Sequence, residues 1–114
     1  MRSVSVIGIG ETKMGKLVGQ SIKDLIADAG NKAILDAGID KTMIQALYLG
    51  NFNAGYWSLQ SHMGPMASDI LGLGNIPAVR TEGACASGSL AFRQGYIAVS
   101  AGVYDIVLVA VWKK

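Results

Sequence analysis

The residue best suited to covalent chemistry in this sequence is Cys85, set in Thr81-Glu82-Gly83-Ala84-Cys85-Ala86-Ser87-Gly88-Ser89. The segment joins a β-branched stretch to a helical one through small residues, which puts the sulfur beside the free N–H groups of a helix N-terminus. Those amides, together with the macrodipole, favour an anion. The thiolate is the reactive form of cysteine, and a helix N-terminus shifts a thiol toward it. Small neighbours let a bulky acyl thioester reach the sulfur and an amide N–H together, and the same amides can stabilise the oxyanion that forms. The chemistry that fits is nucleophilic acyl transfer. The plainer alternative is a small buried hydrophobe, the common fate of a lone cysteine.

The other reactive residues are few. His62 is the only histidine, so it is the one conventional base that could pair with Cys85; a capping or surface histidine is the ordinary alternative. Met63 and Met66 read as core packing rather than substrate contacts. Gly8-Ile9-Gly10 after an apolar run invites a dinucleotide-binding reading, yet the third glycine of that pattern would fall on Lys13, where no helix begins. Gly83-Ala84-Cys85-Ala86-Ser87 also has the outline of a nucleophile elbow with cysteine for serine. That arrangement needs an acid and then a histidine downstream; Asp105 follows, but no histidine does. A single cysteine excludes an internal disulfide and a multi-thiolate metal site, and fits a reducing cytoplasm.

The elements that must hold Cys85 follow from periodicity. Ser3 to Ile9 reads as a buried first strand, followed by a glycine-spaced loop from Gly10 to Gly19. Ser21 with Asp24 three residues on forms a capping pattern. Behind it Ile22, Leu25, Ile26, Ala29, Ala33, Ile34 and Ala37 recur at helical spacing until Gly38. Ile44 to Leu49 reads as a strand ending at Gly50, and Asn51 to Gln60 as a functional or interface loop. A helix is expected over His62 to Leu71, closed by Gly72 and Gly74, and a short strand over Ile76 to Glu82. A further helix is expected over Cys85 to Ser100, with Ala86, Leu90, Ile97 and Ala98 among its buried positions, then an apolar strand over Asp105 to Val111. The order β-α-β-α-β-α-β, with strands apolar on both faces, predicts an α/β fold with a mostly parallel sheet covered on both sides.

The 114 residues suit one domain, and 51% apolar residues suffice for one core. A net charge of +2, with basic residues scattered from Arg2 to Lys114, makes no basic stripe, so nucleic acid is not expected as a partner. The apolar run at Val4 to Ile9 is too short for a signal peptide, and no stretch nears the roughly 20 residues of a membrane span. The expected setting is cytoplasmic, away from membrane.

Cys85-Ala86-Ser87-Gly88-Ser89, following Val79-Arg80-Thr81-Glu82, resembles the nucleophile segment of the thiolase superfamily, nearest to its archaeal and sterol-carrier-protein-associated branch. The likeness extends to Val6-Ile7-Gly8-Ile9-Gly10-Glu11-Thr12, similar to that family's opening strand and loop. Ser61-His62-Met63-Gly64-Pro65-Met66 with Leu71-Gly72-Leu73 is similar to its second helix. The resemblance implies a single N-terminal thiolase-like domain over residues 1–114, a three-layer α/β/α arrangement and an incomplete half of the full fold. It also implies acyl transfer on acyl-CoA thioesters through an acyl-S-enzyme on Cys85, either condensing two acyl-CoA units or cleaving a 3-ketoacyl-CoA. No cofactor, metal or prosthetic group is implied. A homo-oligomer is, with the strand Ile76 to Glu82 pairing across a twofold axis. Tyr56 and Trp57 could then line an acyl or pantetheine channel, or equally cover a loop or meet a subunit. His62 takes no catalytic role in that family.

This sequence departs from the family in two places. Members often carry an amide side chain two residues before the cysteine, where this chain has Gly83. Members are also several times longer and built of two similar five-stranded halves, the later half supplying a histidine and a second, acid–base cysteine. The expectation is therefore little turnover by these 114 residues alone. The non-catalytic alternative is a truncated fragment or an oligomeric scaffold.

Overall fold

The computed structural model describes residues 1–13, 15, 19–52 and 62–112. Along the chain lie α1 (Ile22–Ala37), a 3-10 turn (Lys41–Met43), β1 (Ala46–Gly50), α2 (Met63–Leu71), β2 (Ala78–Thr81), α3 (Ser87–Ser100) and β3 (Val107–Val111). The start of α1 is the one its sequence predicts. Ser21 Oγ accepts the Asp24 N–H at 3.2 Å and the Asp24 carboxylate accepts the Ser21 N–H at 2.9 Å, satisfying two amides that a helix start leaves without partners. Helices α1 and α2 both end at a glycine in the left-handed region, Gly38 and Gly72, each with φ 68°.

The three strands form one parallel sheet in the order β2-β1-β3. In register, Tyr48 lies between Val79 and Val109, and Gly50 between Thr81 and Val111. Parallel neighbours need crossovers, and α2 and α3 supply them. Side chains alternate between the two faces. On one, Leu47, Leu49, Leu108 and Ala110 join Ile26, Ile34, Met63, Ala67 and Leu71 in the main apolar core, so α2, with α1 packed on it, covers that face. On the other, α3 lies across all three strands. The outcome is the three-layer α/β/α arrangement, with a partial sheet.

Two expectations need correction. Ser3 to Ile9 forms no strand: Val6, Ile7 and Ile9 are exposed, and no residue of the segment joins the ladder. The segment lies directly on α1, where a Cβ added at Gly8 would stand 2.5 Å from the Ala33 carbonyl oxygen. The segment is instead tied to helices. The Arg2 N–H donates to the Ser100 carbonyl at 2.9 Å, and the Ile9 N–H to Asp36 Oδ2 at 2.8 Å.

The buried face of α3 is the second. Ala98 is buried as expected, but Ala86 and Ile97 are exposed and Leu90 is half-buried. The buried positions are Ser87, Ala91, Gly95, Ala98 and Ser100. Smallness, not hydrophobicity, selects this face. A Cβ added at Gly95 would stand 2.7 Å from Val109 Cγ2, and one at Gly88 would stand 2.8 Å from Val111 Cγ2. The helix therefore rides directly on β3, and larger residues such as Phe92 and Tyr96 point outward.

Candidate functional site

Cys85 lies in the turn between the end of β2 at Thr81 and the start of α3 at Ser87, and it is exposed. This is the carboxyl end of the parallel strands, where open α/β sheets present their ligand sites. The plainer reading of a buried structural thiol is thus excluded by exposure.

The turn is closed by its own hydrogen bonds. The Gly83 N–H donates to Ser87 Oγ at 3.0 Å, and the Ser87 hydroxyl donates to the Ala84 carbonyl at 2.6 Å. The Ala86 N–H reaches the Gly83 carbonyl at 3.0 Å, and the Ser87 N–H the Ala84 carbonyl at 3.2 Å. The Glu82 carboxylate accepts the Ala84 N–H at 2.5 Å. Ala84, immediately before the thiol, has φ 52° and is the only non-glycine residue with positive φ among the described residues. An L-residue there is strained and must be held by its surroundings. The Leu90 N–H donates to the Ala86 carbonyl, while the first-turn amides of Gly88 and Ser89 have no acceptor among the described residues. Unpartnered N–H groups at a helix start favour an anion.

Gly83 occupies the position where the resembling family often has an amide side chain. Here a Cβ at Gly83 would run into Leu90 Cδ1, so a side chain would require Leu90 to swing aside. The bare glycine and the inward Leu90 belong together.

The strand ends beneath the turn are cross-tied. The Asn51 N–H donates to the Thr81 carbonyl at 3.1 Å and the Trp112 N–H to the Gly50 carbonyl at 3.2 Å. Asn51 Nδ2 donates to the Trp112 carbonyl at 2.7 Å, a buried bond. Arg80 Nε donates to the Asn51 carbonyl at 3.1 Å and its Nη2 to the Phe52 carbonyl at 3.3 Å. The Trp112 indole N–H is buried and has no acceptor among the described residues. Neither the Asn51 and Arg80 ties nor the burial of the indole is legible from residue types, because each depends on which strand ends become neighbours.

His62 is exposed at the N-cap position of α2, where its carbonyl accepts the Met66 N–H at 3.0 Å and its side chain makes no capping hydrogen bond. Met63 is fully buried and Met66 packs against the same core, as expected. Tyr56, Trp57 and most of the loop Asn51 to Gln60 lie outside the described residues, as do Ser61 and part of the loop Gly10 to Gly19. Among the described residues no group of three or more His, Cys, Asp or Glu could hold a metal ion, and no helix is long and apolar enough to cross a membrane.

The fold and site together define an α/β domain that presents an exposed cysteine at a strand-to-helix turn. Residues 4–111 match the model of the thiolase N-terminal domain, and the chain belongs to that family. It is 46% identical over 110 residues to an acetyl-CoA acetyltransferase of Methanothermobacter thermautotrophicus, covering 96% of this chain and 29% of that protein. It is 47% identical to an acetyl-CoA acetyltransferase of Methanocaldococcus jannaschii, covering 96% of this chain and 28% of the relative. Among solved structures, an acetyl-CoA acetyltransferase from Syntrophomonas wolfei superposes with a TM-score of 0.74 at 25% identity, covering 91% of this chain and 27% of that one. The chain spans less than a third of the length of these relatives.

Proposed function

We propose that this chain is the nucleophile-bearing domain of a thiolase-type acyltransferase, and that Cys85 accepts the acyl group of an acyl-CoA thioester. The observation that carries the reading is the exposed thiol at the N-terminus of α3 in a domain of the thiolase family. The Cys85 thiolate attacks the thioester carbonyl, and the oxyanion forms beside the amides of Gly88 and Ser89. Its collapse breaks the bond to the coenzyme A sulfur, which leaves as a thiolate and takes a proton, and the acyl group remains on Cys85. A second acyl-CoA loses an α-proton to a base and attacks that acyl group as its enolate; the new C–C bond forms as the C–S bond to Cys85 breaks, releasing a 3-ketoacyl-CoA and the Cys85 thiolate, and the reverse sequence cleaves one. No metal or prosthetic group enters these steps. Relatives named as acetyl-CoA acetyltransferases support an acetyl-sized donor.

The proton transfers of full turnover need groups beyond Cys85, and His62 stands at the start of a different helix. These 114 residues alone are therefore expected to be acylated but to cleave little acetoacetyl-CoA. The proposed assembly is a homo-oligomer through the stretch Ile76 to Glu82. Its core, β2, is an outer strand of the sheet with Val79 half exposed, and such an edge offers unpaired backbone groups to a second copy.

The test is mass spectrometry of the chain after exposure to acetyl-CoA. An added acetyl group on Cys85, absent from Cys85→Ala, is the expected result. A folded chain that stays unmodified while iodoacetamide still labels Cys85 would defeat the reading.

A further inference from the structure

We propose that Ser87 is the positioning residue of the nucleophile: its hydroxyl clamps the Gly83–Ala84 backbone so that Ala84 is held at positive φ and Cys85 leaves the turn at a fixed place over the α3 N-terminus. This rests on the reading of Cys85 as the acyl acceptor. Ser87 is buried, 4% exposed, and its Oγ is fully engaged within the turn. It accepts the Gly83 N–H on one side of Ala84 and donates to the Ala84 carbonyl on the other. The Glu82–Gly83 and Ala84–Cys85 peptide groups, which bracket the Gly83–Ala84 pair, are thereby tied to one oxygen, which limits the backbone rotations open to Ala84 and helps an L-residue in the left-handed region to persist.

The clamp is itself anchored. The Ser87 carbonyl lies against Gly50 at the end of β1, where no Cβ would fit, so the hydroxyl is referenced to the sheet rather than to a loose loop. Glu82 adds a third tie at the Ala84 N–H, but from an exposed side chain. Ser87 is the buried partner and the one that contacts both sides. It touches no reacting atom and acts only through where Cys85 is held.

The experiment reads the iodoacetamide alkylation rate of Cys85 in the full chain at pH 7, beside thermal unfolding of the same samples. Ser87→Ala is expected to slow alkylation about fivefold or more, the range set by the cost of a left-handed L-residue. Adding Ala84→Gly to it should bring the rate back to within about twofold of the starting chain, because glycine adopts that region freely. Ala84 is exposed, so Ala84→Val with Ser87 intact probes the same conformation without disturbing the core; it should also slow alkylation about fivefold, valine being poorly tolerated at positive φ. This variant carries the test should Ser87→Ala fail to fold. An unchanged rate in Ala84→Val, or in folded Ser87→Ala, would overturn the proposal. So would a double variant as slow as the single. If the starting chain takes no acetyl group from acetyl-CoA while these rate changes are seen, the acyl-acceptor reading falls and the clamp stands.

Discussion

Gly50 and Ser87 meet backbone to backbone: a Cβ placed on Gly50 would collide with the Ser87 carbonyl and stand 2.8 Å from the Gly88 Cα. The end of the central strand thus sets the height of the first turn of α3, and with it the level at which Cys85 stands. Gly50→Ala is expected to cost about 1–3 kcal/mol, the usual price of overpacking, and to lower Cys85 alkylation. Denaturant unfolding checks the first part, and an unchanged midpoint would show that the helix can lift without penalty.

Exposure and the helix N-terminus predict a reactive thiol. Cys85 should alkylate faster at pH 7 than the cysteine of an unstructured peptide. Equal rates in a side-by-side competition would argue against any activation by the turn.

Arg2 fastens the chain start to the far end of the same helix. Its guanidinium donates to the Val99 carbonyl at 3.1 and 2.9 Å and to the Tyr104 carbonyl at 2.7 Å, and pairs with Asp105 at 2.8 Å. The ion pair is exposed and should contribute little, so Asp105→Asn is expected to cost at most ~0.5 kcal/mol. Arg2→Ala also strips the carbonyls of their donor and should cost about 1 kcal/mol more. Equal effects of the two substitutions on thermal unfolding would assign the work to the charge.

Ser21→Ala removes one half of the α1 capping pair and should destabilise by about 1 kcal/mol, with Ser21→Asp retaining most of the stability. Chemical unfolding of the three proteins decides it.

Tyr48, half-buried beneath α3, has its phenol pKa raised above 10.0, first by burial and then by the neighbouring Tyr104 charge. A raised folded-state value means the contribution to stability is fully present below the unfolded value, about 10, and is lost as pH rises through the folded one. Alkaline unfolding curves should therefore be flatter for Tyr48→Phe than for the starting chain above about pH 10; parallel curves would remove Tyr48 from the account.

Local signals were readable where the deciding contacts are local. The Ser21–Asp24 cap, the Gly38 and Gly72 stops and the placement of Cys85 between strand and helix each depend on a few consecutive residues. Ser3 to Ile9 has a strand-like composition, yet it packs on α1 through Gly8 and joins no strand, a tertiary placement that composition does not show. The buried stripe of α3 failed for a different reason: hydropathy ranks Leu90 and Ile97 above Gly95, while the closeness of β3 admits only the smaller residue. Within the site, the placement of Cys85 at a strand-to-helix turn was legible from type and spacing. The φ of Ala84 and the double role of Ser87 were not, because both arise from how the turn closes on itself.

The sheet order also dictates a sequence of events when the polypeptide is made. Both ladder partners of β1 lie downstream of it, at residues 78–81 and 107–111, so the central strand emerges from the ribosome with nothing to pair against. Helix α1, capped by its own neighbours, can form at once. The sheet has to wait for two long loop closures, which makes assembly slow relative to a helical domain of equal size. Until residue 107 has been made, β1 keeps one naked edge, and the Cys85 sulfur is synthesised before the platform beneath it is complete.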